Sequence, residues 1–104
     1  MPKNQDHLNV LREIDKSNKP TQRELADKLG FSLGKLNYCL KALNKKGFIK
    51  ISNFMKSSNK LKKIYILTPR GISHRAKLTI NFMKLKMKEY DSLKKELNNN
   101  LKKK

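Results

Sequence analysis

The 104-residue chain is one domain's worth of protein and supports only a modest hydrophobic core. Its 26 Lys and Arg against 8 Asp and Glu give a formal net charge of +18, which attracts polyanions and repels cationic partners. A single cysteine, Cys39, excludes an internal disulfide, and two widely separated histidines, His7 and His74, lack metal-ligand spacing, so neither a metal nor a cofactor is expected.

No apolar run approaches the ~20 residues of a spanning helix, and no charged-then-apolar leader opens the sequence. The expectation is a soluble, cytoplasmic, nucleoid-associated protein. Lys far outnumbers Arg, and Asn and Ile are common, as AT-rich coding DNA favours, so position must carry more weight than total charge.

The first predicted helix spans about residues 6–16, with Leu8, Val10, Leu11 and Ile14 on one face and Asp6 as its N-cap. Ser17 to Pro20 form a loop. Thr21 and Glu24 fit a capping box that opens a short second helix, whose Leu25, Ala26 and Leu29 face inward and whose stop is Gly30. Ser32 caps a third helix, about residues 33–46, ended by Gly47. Leu36, Cys39, Leu40 and Leu43 form its apolar stripe. Phe48–Ile51 and Lys63–Leu67 read as paired strands around a polar, basic hairpin loop that projects.

Thr68 and Pro69 then open a last helix, as N-cap and first helical residue. It is predicted over residues 69–97, about 44 Å at 1.5 Å per residue, with residues 98–104 as a frayed basic tail. Ala76, Ile80, Met83, Met87, Tyr90, Lys94, Leu97 and Leu101 follow four- and three-residue steps, a heptad seam with one lysine fault. So long an apolar stripe on a lone helix calls for a partner. Ala76, Ile80, Met83, Met87, Tyr90 and Leu97 are the expected interface of a homodimer. Flanking lysines would repel across a parallel pair, which leaves the hand of the pairing open.

The order of helix, helix, tight turn, helix, basic hairpin and long helix is mainly α with a small β-hairpin: a winged helix-turn-helix over residues 1–68 followed by a dimerisation helix. Thr21-Gln22-Arg23-Glu24-Leu25-Ala26, with Gly30 and Ser32, resembles the entry of bacterial helix-turn-helix regulators. Leu43 to Ile49, with Gly47 between, resembles the exit of a recognition helix into a wing. Tyr65-Ile66-Leu67-Thr68-Pro69-Arg70-Gly71 is similar to the join between wing and C-terminal helix. Together these motifs resemble MarR-like winged-helix transcriptional regulators. Within that group the short members associated with extracellular polysaccharide gene clusters are most similar. The extra helices that flank the ligand pocket of typical MarR proteins are lacking, and no small-molecule ligand is evident.

A recognition helix enters the major groove with its N-terminal residues at base edges, while amides and lysines hold phosphates. Here the expected DNA contacts are Ser32, Gly34, Lys35, Asn37, Tyr38 and Lys41, with Thr21 on phosphate. Gly34 permits close approach, Lys35 suits guanine and Asn37 suits adenine. The wing about residues 52–62 offers Lys56, Ser57, Ser58, Asn59, Lys60 and Lys62 to the adjacent minor groove or backbone. The bland alternative for both sets is a solvated basic surface. Cys39 reads as a buried small hydrophobe, His74 as a surface residue, and Phe82, Met83 and Met87 as packing. Three functions remain: a sequence-specific regulator binding duplex DNA as a dimer, a non-specific architectural DNA binder, or a protein-interaction module working through the long helix. No nucleophile–base pairing, phosphate-cradling glycine loop or carboxylate pair suggests an enzyme.

Overall fold

A computed structural model describes residues 3–55 and 61–102. The elements in chain order are α1 (Asn4–Lys16), α2 (Gln22–Leu29), α3 (Leu33–Lys45), β1 (Ile49–Met55), β2 (Leu61–Leu67) and α4 (Pro69–Lys102). Leu8, Val10, Leu11 and Ile14 of α1 meet Leu25 and Ala26 of α2 and Leu36, Cys39, Leu40 and Leu43 of α3 in one core. Ile49, Tyr65 and Leu78 close it from the hairpin and α4.

Local chemistry sets the short elements. The Thr21 hydroxyl accepts from the Glu24 N–H at 3.3 Å, and the Glu24 carboxylate accepts from the Thr21 N–H at 3.4 Å, so both halves of the capping box are made. Gly30 ends α2 at φ 69°, a left-handed conformation that a Cβ would disfavour. Ser32 caps α3 by accepting the Lys35 N–H at 3.1 Å. The start of α1 differs from expectation. Lys3 is the capping position, and Asp6 lies three residues inside, where its carboxylate accepts the Lys3 N–H at 3.0 Å. The periodicity alone does not distinguish an Asp at the cap from an Asp in the first turn, since both satisfy an orphan amide.

β1 and β2 pair antiparallel from Ile49 opposite Leu67 to Met55 opposite Leu61. The strands are therefore longer, and the loop shorter, than the apolar residues alone predict. On its other side β2 is tied to the α1–α2 loop, where the Tyr65 N–H donates to the Pro20 carbonyl at 3.1 Å.

Only Thr68 separates β2 from α4, and it fastens three elements at once. Its hydroxyl accepts from the Gly71 N–H at 3.0 Å and donates to the Gly47 carbonyl at 2.6 Å, while its own N–H donates to the Phe48 carbonyl at 3.1 Å. Gly71 rests directly on this corner: a Cβ there would lie 1.9 Å from the Phe48 carbonyl oxygen. His74 is half-buried, stacked on the Phe48 ring at 4.0 Å between centroids, rather than at the surface.

α4 has 34 residues, about 51 Å at 1.5 Å per residue. It continues past Leu97 through Lys102, so the tail expected to fray is helical over residues 98–102. Its N-terminal part packs on α1, with an ion pair between Arg75 and Asp15. From Met83 onward its described residues are exposed, and the molecule is drawn out to 71 × 25 × 24 Å. No helix among the described residues is long and apolar enough to cross a membrane.

Candidate nucleic-acid interface

The buried stripe of α3 fixes what the opposite side presents. With Leu36, Cys39, Leu40 and Leu43 turned into the core, Gly34, Tyr38, Lys41 and Lys45 line the outer side at helical spacing, all exposed. Asn37 flanks this line on one side and Lys35 on the other. Tyr38 is half exposed, and Leu33, at the first helical position, is 59% exposed. Lys45 and Leu33 are additions to the expected set. Lys45 follows Lys41 by one turn, a spacing visible in the sequence. Leu33 gave no such signal, because an apolar residue beside a cap ordinarily reads as core.

The structure separates two hydroxyls that share a motif type. The Thr21 hydroxyl is engaged twice within its capping box, since it also donates to Glu24 Oε1 at 2.9 Å. Ser32 uses its oxygen only as an acceptor for the Lys35 amide, which leaves its O–H proton for an external acceptor. Lys35 is drawn sideways. Its Nζ lies 3.4 Å from Asp6 Oδ1 on α1 and 4.2 Å from the centroid of the Phe31 ring.

Thr21 and Lys62 come together with Gln22, Arg23, Lys63 and Tyr65 around an open groove of about 340 Å³ between the start of α2 and β2. Lys56, Ser57, Ser58, Asn59 and Lys60 of the wing tip lie outside the described residues. On α4, Ile80, Met83, Met87, Tyr90 and Leu97 of the seam are each more than half exposed, and Ala76 is exposed at its start. A second apolar line, Leu78, Phe82, Leu85 and Leu93, runs about a third of a turn away and begins against α1. The heptad seam read from the sequence did not include this second line.

Charge is distributed unevenly. Between Asp27 and Glu89 the sequence has no acidic residue, and this stretch holds all of α3, the wing and the first half of α4. A lysine-rich codon bias would raise Lys throughout but would not clear acids from one continuous region. The α1 carboxylates of Asp6, Glu13 and Asp15 are ion-paired with Lys35, Lys28 and Arg75.

The titratable groups of the core are not poised for chemistry. Burial pushes the Cys39 thiol above its ordinary range, so it behaves as a small hydrophobe and not as a thiolate. Burial, with Lys46 nearby, holds His7 and His74 below the usual histidine value. Among the described residues no group of three or more His, Cys, Asp and Glu is arranged to hold a metal ion.

Residues 7–50 match a family described as winged helix-turn-helix DNA-binding. No curated protein matches the sequence. Solved structures do match by shape. A PadR-like transcriptional regulator from Bacillus cereus superposes with a TM-score of 0.75 at 18% identity, over 84% of this chain and 89% of its own. Staphylococcus aureus MarR, in complex with salicylate and kanamycin, gives 0.62 at 23% identity over 78% of this chain; the match spans only 53% of the MarR chain. A Staphylococcus aureus MepR variant bound to an oligodeoxyribonucleotide gives 0.61 at 18% identity, over 93% of this chain and 73% of its own. The chain thus carries a winged helix-turn-helix, matched as a DNA-binding family over residues 7–50, and shares its fold with MarR- and PadR-like transcriptional regulators.

Proposed function

We propose that the chain is a transcriptional regulator that binds double-stranded DNA as a homodimer, in the cytoplasm and at the nucleoid. One observation carries this reading most directly: the outer side of α3 and the wing lie in a stretch of sequence free of acids. Such a surface neutralises phosphates without local repulsion, and each neutralised phosphate releases condensed counterions. α3 supplies what a major-groove reader needs. Gly34 admits close approach, Asn37 has the bidentate amide that suits adenine, Tyr38 offers a ring to a thymine methyl, and Lys41 and Lys45 reach phosphates. The Ser32 hydroxyl donates to a phosphate at the helix N-terminus, where Thr21 is spent on its cap. Lys62, beside Arg23 and Lys63, continues the basic surface of α2 and β2; Lys56, Ser57, Ser58, Asn59 and Lys60 are proposed from the sequence as contacts to the adjacent minor groove or backbone.

The exposed seam of α4 supports the homodimer reading. This seam of Ala76, Ile80, Met83, Met87, Tyr90 and Leu97 is too long and too exposed to be stable unpaired, and a two-fold pair matches palindromic half-sites. A catalytic role is not proposed, and no ligand beyond DNA is required. The oligonucleotide-bound MepR variant of the same fold supports the DNA reading by analogy of shape.

The test is a fluorescence anisotropy titration near physiological salt, comparing random duplex with fragments from the protein's own gene neighbourhood. A fragment bound at least a thousandfold more tightly than random DNA is the expected result. Equal, steeply salt-dependent binding to every duplex would convert the reading to an architectural DNA binder. Absence of binding to any duplex would overturn it in favour of a protein-interaction role for α4.

A further inference from the structure

Lys35 sits where a base-reading cation would be expected, three residues inside the N-terminus of α3, yet its ammonium group is directed at α1. Asp6 makes two contacts from one carboxylate. Oδ2 accepts the Lys3 N–H at 3.0 Å, and Oδ1 lies 3.4 Å from Lys35 Nζ. The backbone bond fixes the carboxylate, because it belongs to the first turn of α1 and α1 is anchored in the core by Leu8, Val10, Leu11 and Ile14. The Phe31 ring, 4.2 Å below Nζ, supplies a second attraction along the same direction. Among the described residues, Lys35 is the one cation of α3 with a carboxylate partner, and that partner comes from outside the acid-free stretch.

We propose that Asp6 is a positioning residue that holds Lys35 off the DNA, leaving Asn37 and Tyr38 to read bases and biasing the operator toward A·T pairs. The inference rests on the DNA-binding reading above. Lys and Arg are the side chains best matched to guanine O6 and N7, whereas an Asn amide matches adenine and an apolar surface matches the thymine methyl. Withdrawing Lys35 removes the guanine reader nearest the helix start. The exposed Leu33, one turn before Asn37, adds a further surface for a thymine methyl. A lysine that is available but untethered would also add a sequence-independent phosphate contact. The tether therefore lowers affinity for random DNA and raises the ratio of specific to non-specific binding.

The experiment uses the full chain and two duplexes, the tightest fragment from the anisotropy screen and a random sequence of equal length. Asp6→Asn keeps an oxygen for the Lys3 amide but removes the charge. The variant should bind random duplex about two- to fivefold more tightly, in keeping with a partly exposed ion pair. The slope of log affinity on log salt should steepen by about 0.9, the signature of one added phosphate contact. Adding Lys35→Ala to Asp6→Asn should remove both gains. A slope and affinity unchanged in Asp6→Asn would overturn the proposal. Gains that persist in the double variant would also overturn it, because they would then come from lost negative charge in general. If Asp6→Asn proves unfolded by circular dichroism, the tether can be read without DNA. The Asp6 carboxyl, held below its ordinary value by the Lys3 amide and Lys35, should titrate higher in Lys35→Gln by NMR, and an unmoved titration would refute the contact. A wild-type chain that binds no duplex would remove both readings, whereas wild-type binding with an inert Asp6→Asn removes only this one.

Discussion

Replacing Gly71 by Ala adds one methyl group at the corner that joins the wing to α4. The added carbon would stand 1.9 Å from the Phe48 carbonyl oxygen, 2.8 Å from its carbon and 3.0 Å from Leu67 Cδ1. Two of those three atoms are backbone, so no rotamer change relieves the clash. α4 must move off Phe48 by about 1 Å or more, an overpacking strain of roughly 1–3 kcal/mol. That movement stretches the Thr68 bonds to the Phe48 and Gly47 carbonyls, which together contribute about 2 kcal/mol. Better helix propensity returns about 1 kcal/mol. The net expected loss is about 2–4 kcal/mol, a large share of the roughly 5–15 kcal/mol that holds a small domain together. Urea unfolding followed by circular dichroism at 222 nm should show the midpoint fall by about 1–3 M. Gly34→Ala is the control, since nothing lies within 4 Å of its added carbon and its φ is ordinary; the same chemical change should leave stability equal or slightly raised. A Gly71→Ala midpoint within error of wild type would refute the account of this corner.

Reversing Lys41 and Lys45 together to Glu should reduce duplex affinity by more than a hundredfold with unchanged helicity; retained affinity would show that the outer side of α3 is not the DNA surface. Truncation after Ile80 should give a monomer by sedimentation and weaken DNA binding, and a truncated chain that still sediments as a dimer would disqualify the α4 seam. Stability should fall as pH drops below about 6.5. His7 and His74 have their folded values lowered from 6.5 by burial and by Lys46, so the unfolded chain takes up more protons in that window. The groups facing them are Asp6 on α1, Lys46 at the end of α3 and Lys77 on α4, with His7 itself acting on His74, and the buried Nε2 of His7 has no hydrogen-bond partner among the described residues. Urea midpoints equal at pH 7.5 and 6.0 would contradict this.

What the sequence made legible was local. Thr21 with Glu24, Ser32, Gly30 and the Thr68-Pro69 pair act within one turn of themselves, so each fixes a helix end without help from the rest of the chain. The core stripe of α3 was equally plain, and with it the outer side by subtraction. What escaped was tertiary. Lys35 and Asp6 are 29 positions apart, and nothing at either site announces that the lysine is tied down. The strand residues Ser52 and Asn53 of β1 and Lys62 of β2 were missed because cross-strand pairing holds polar residues that carry no apolar signal. Asn98 to Asn100 are weak helix formers, yet they continue a helix already nucleated by more than seven turns, where each added residue costs little.

The join at Thr68 bears on how two such chains would read one operator. A flexible linker between reader and dimer helix would let the recognition helices tolerate a range of half-site separations. Here the connection is one residue long. Thr68 is bonded to Gly47 and Phe48, the two residues that lead out of α3, and His74 stacks on Phe48 nearly two helical turns further along. α4 is thus attached to the end of α3 by hydrogen bonds from Thr68 to two backbone carbonyls and by a ring contact, not by apolar packing alone. A rotation of α4 about its partner would carry α3 with it and so move the recognition helix along the groove. On the dimer proposed here, the pairing of seams around Met83, Met87 and Tyr90 therefore sets the half-site spacing. A change in that pairing, and not a change within the wing, would be the direct way to switch the protein off its DNA.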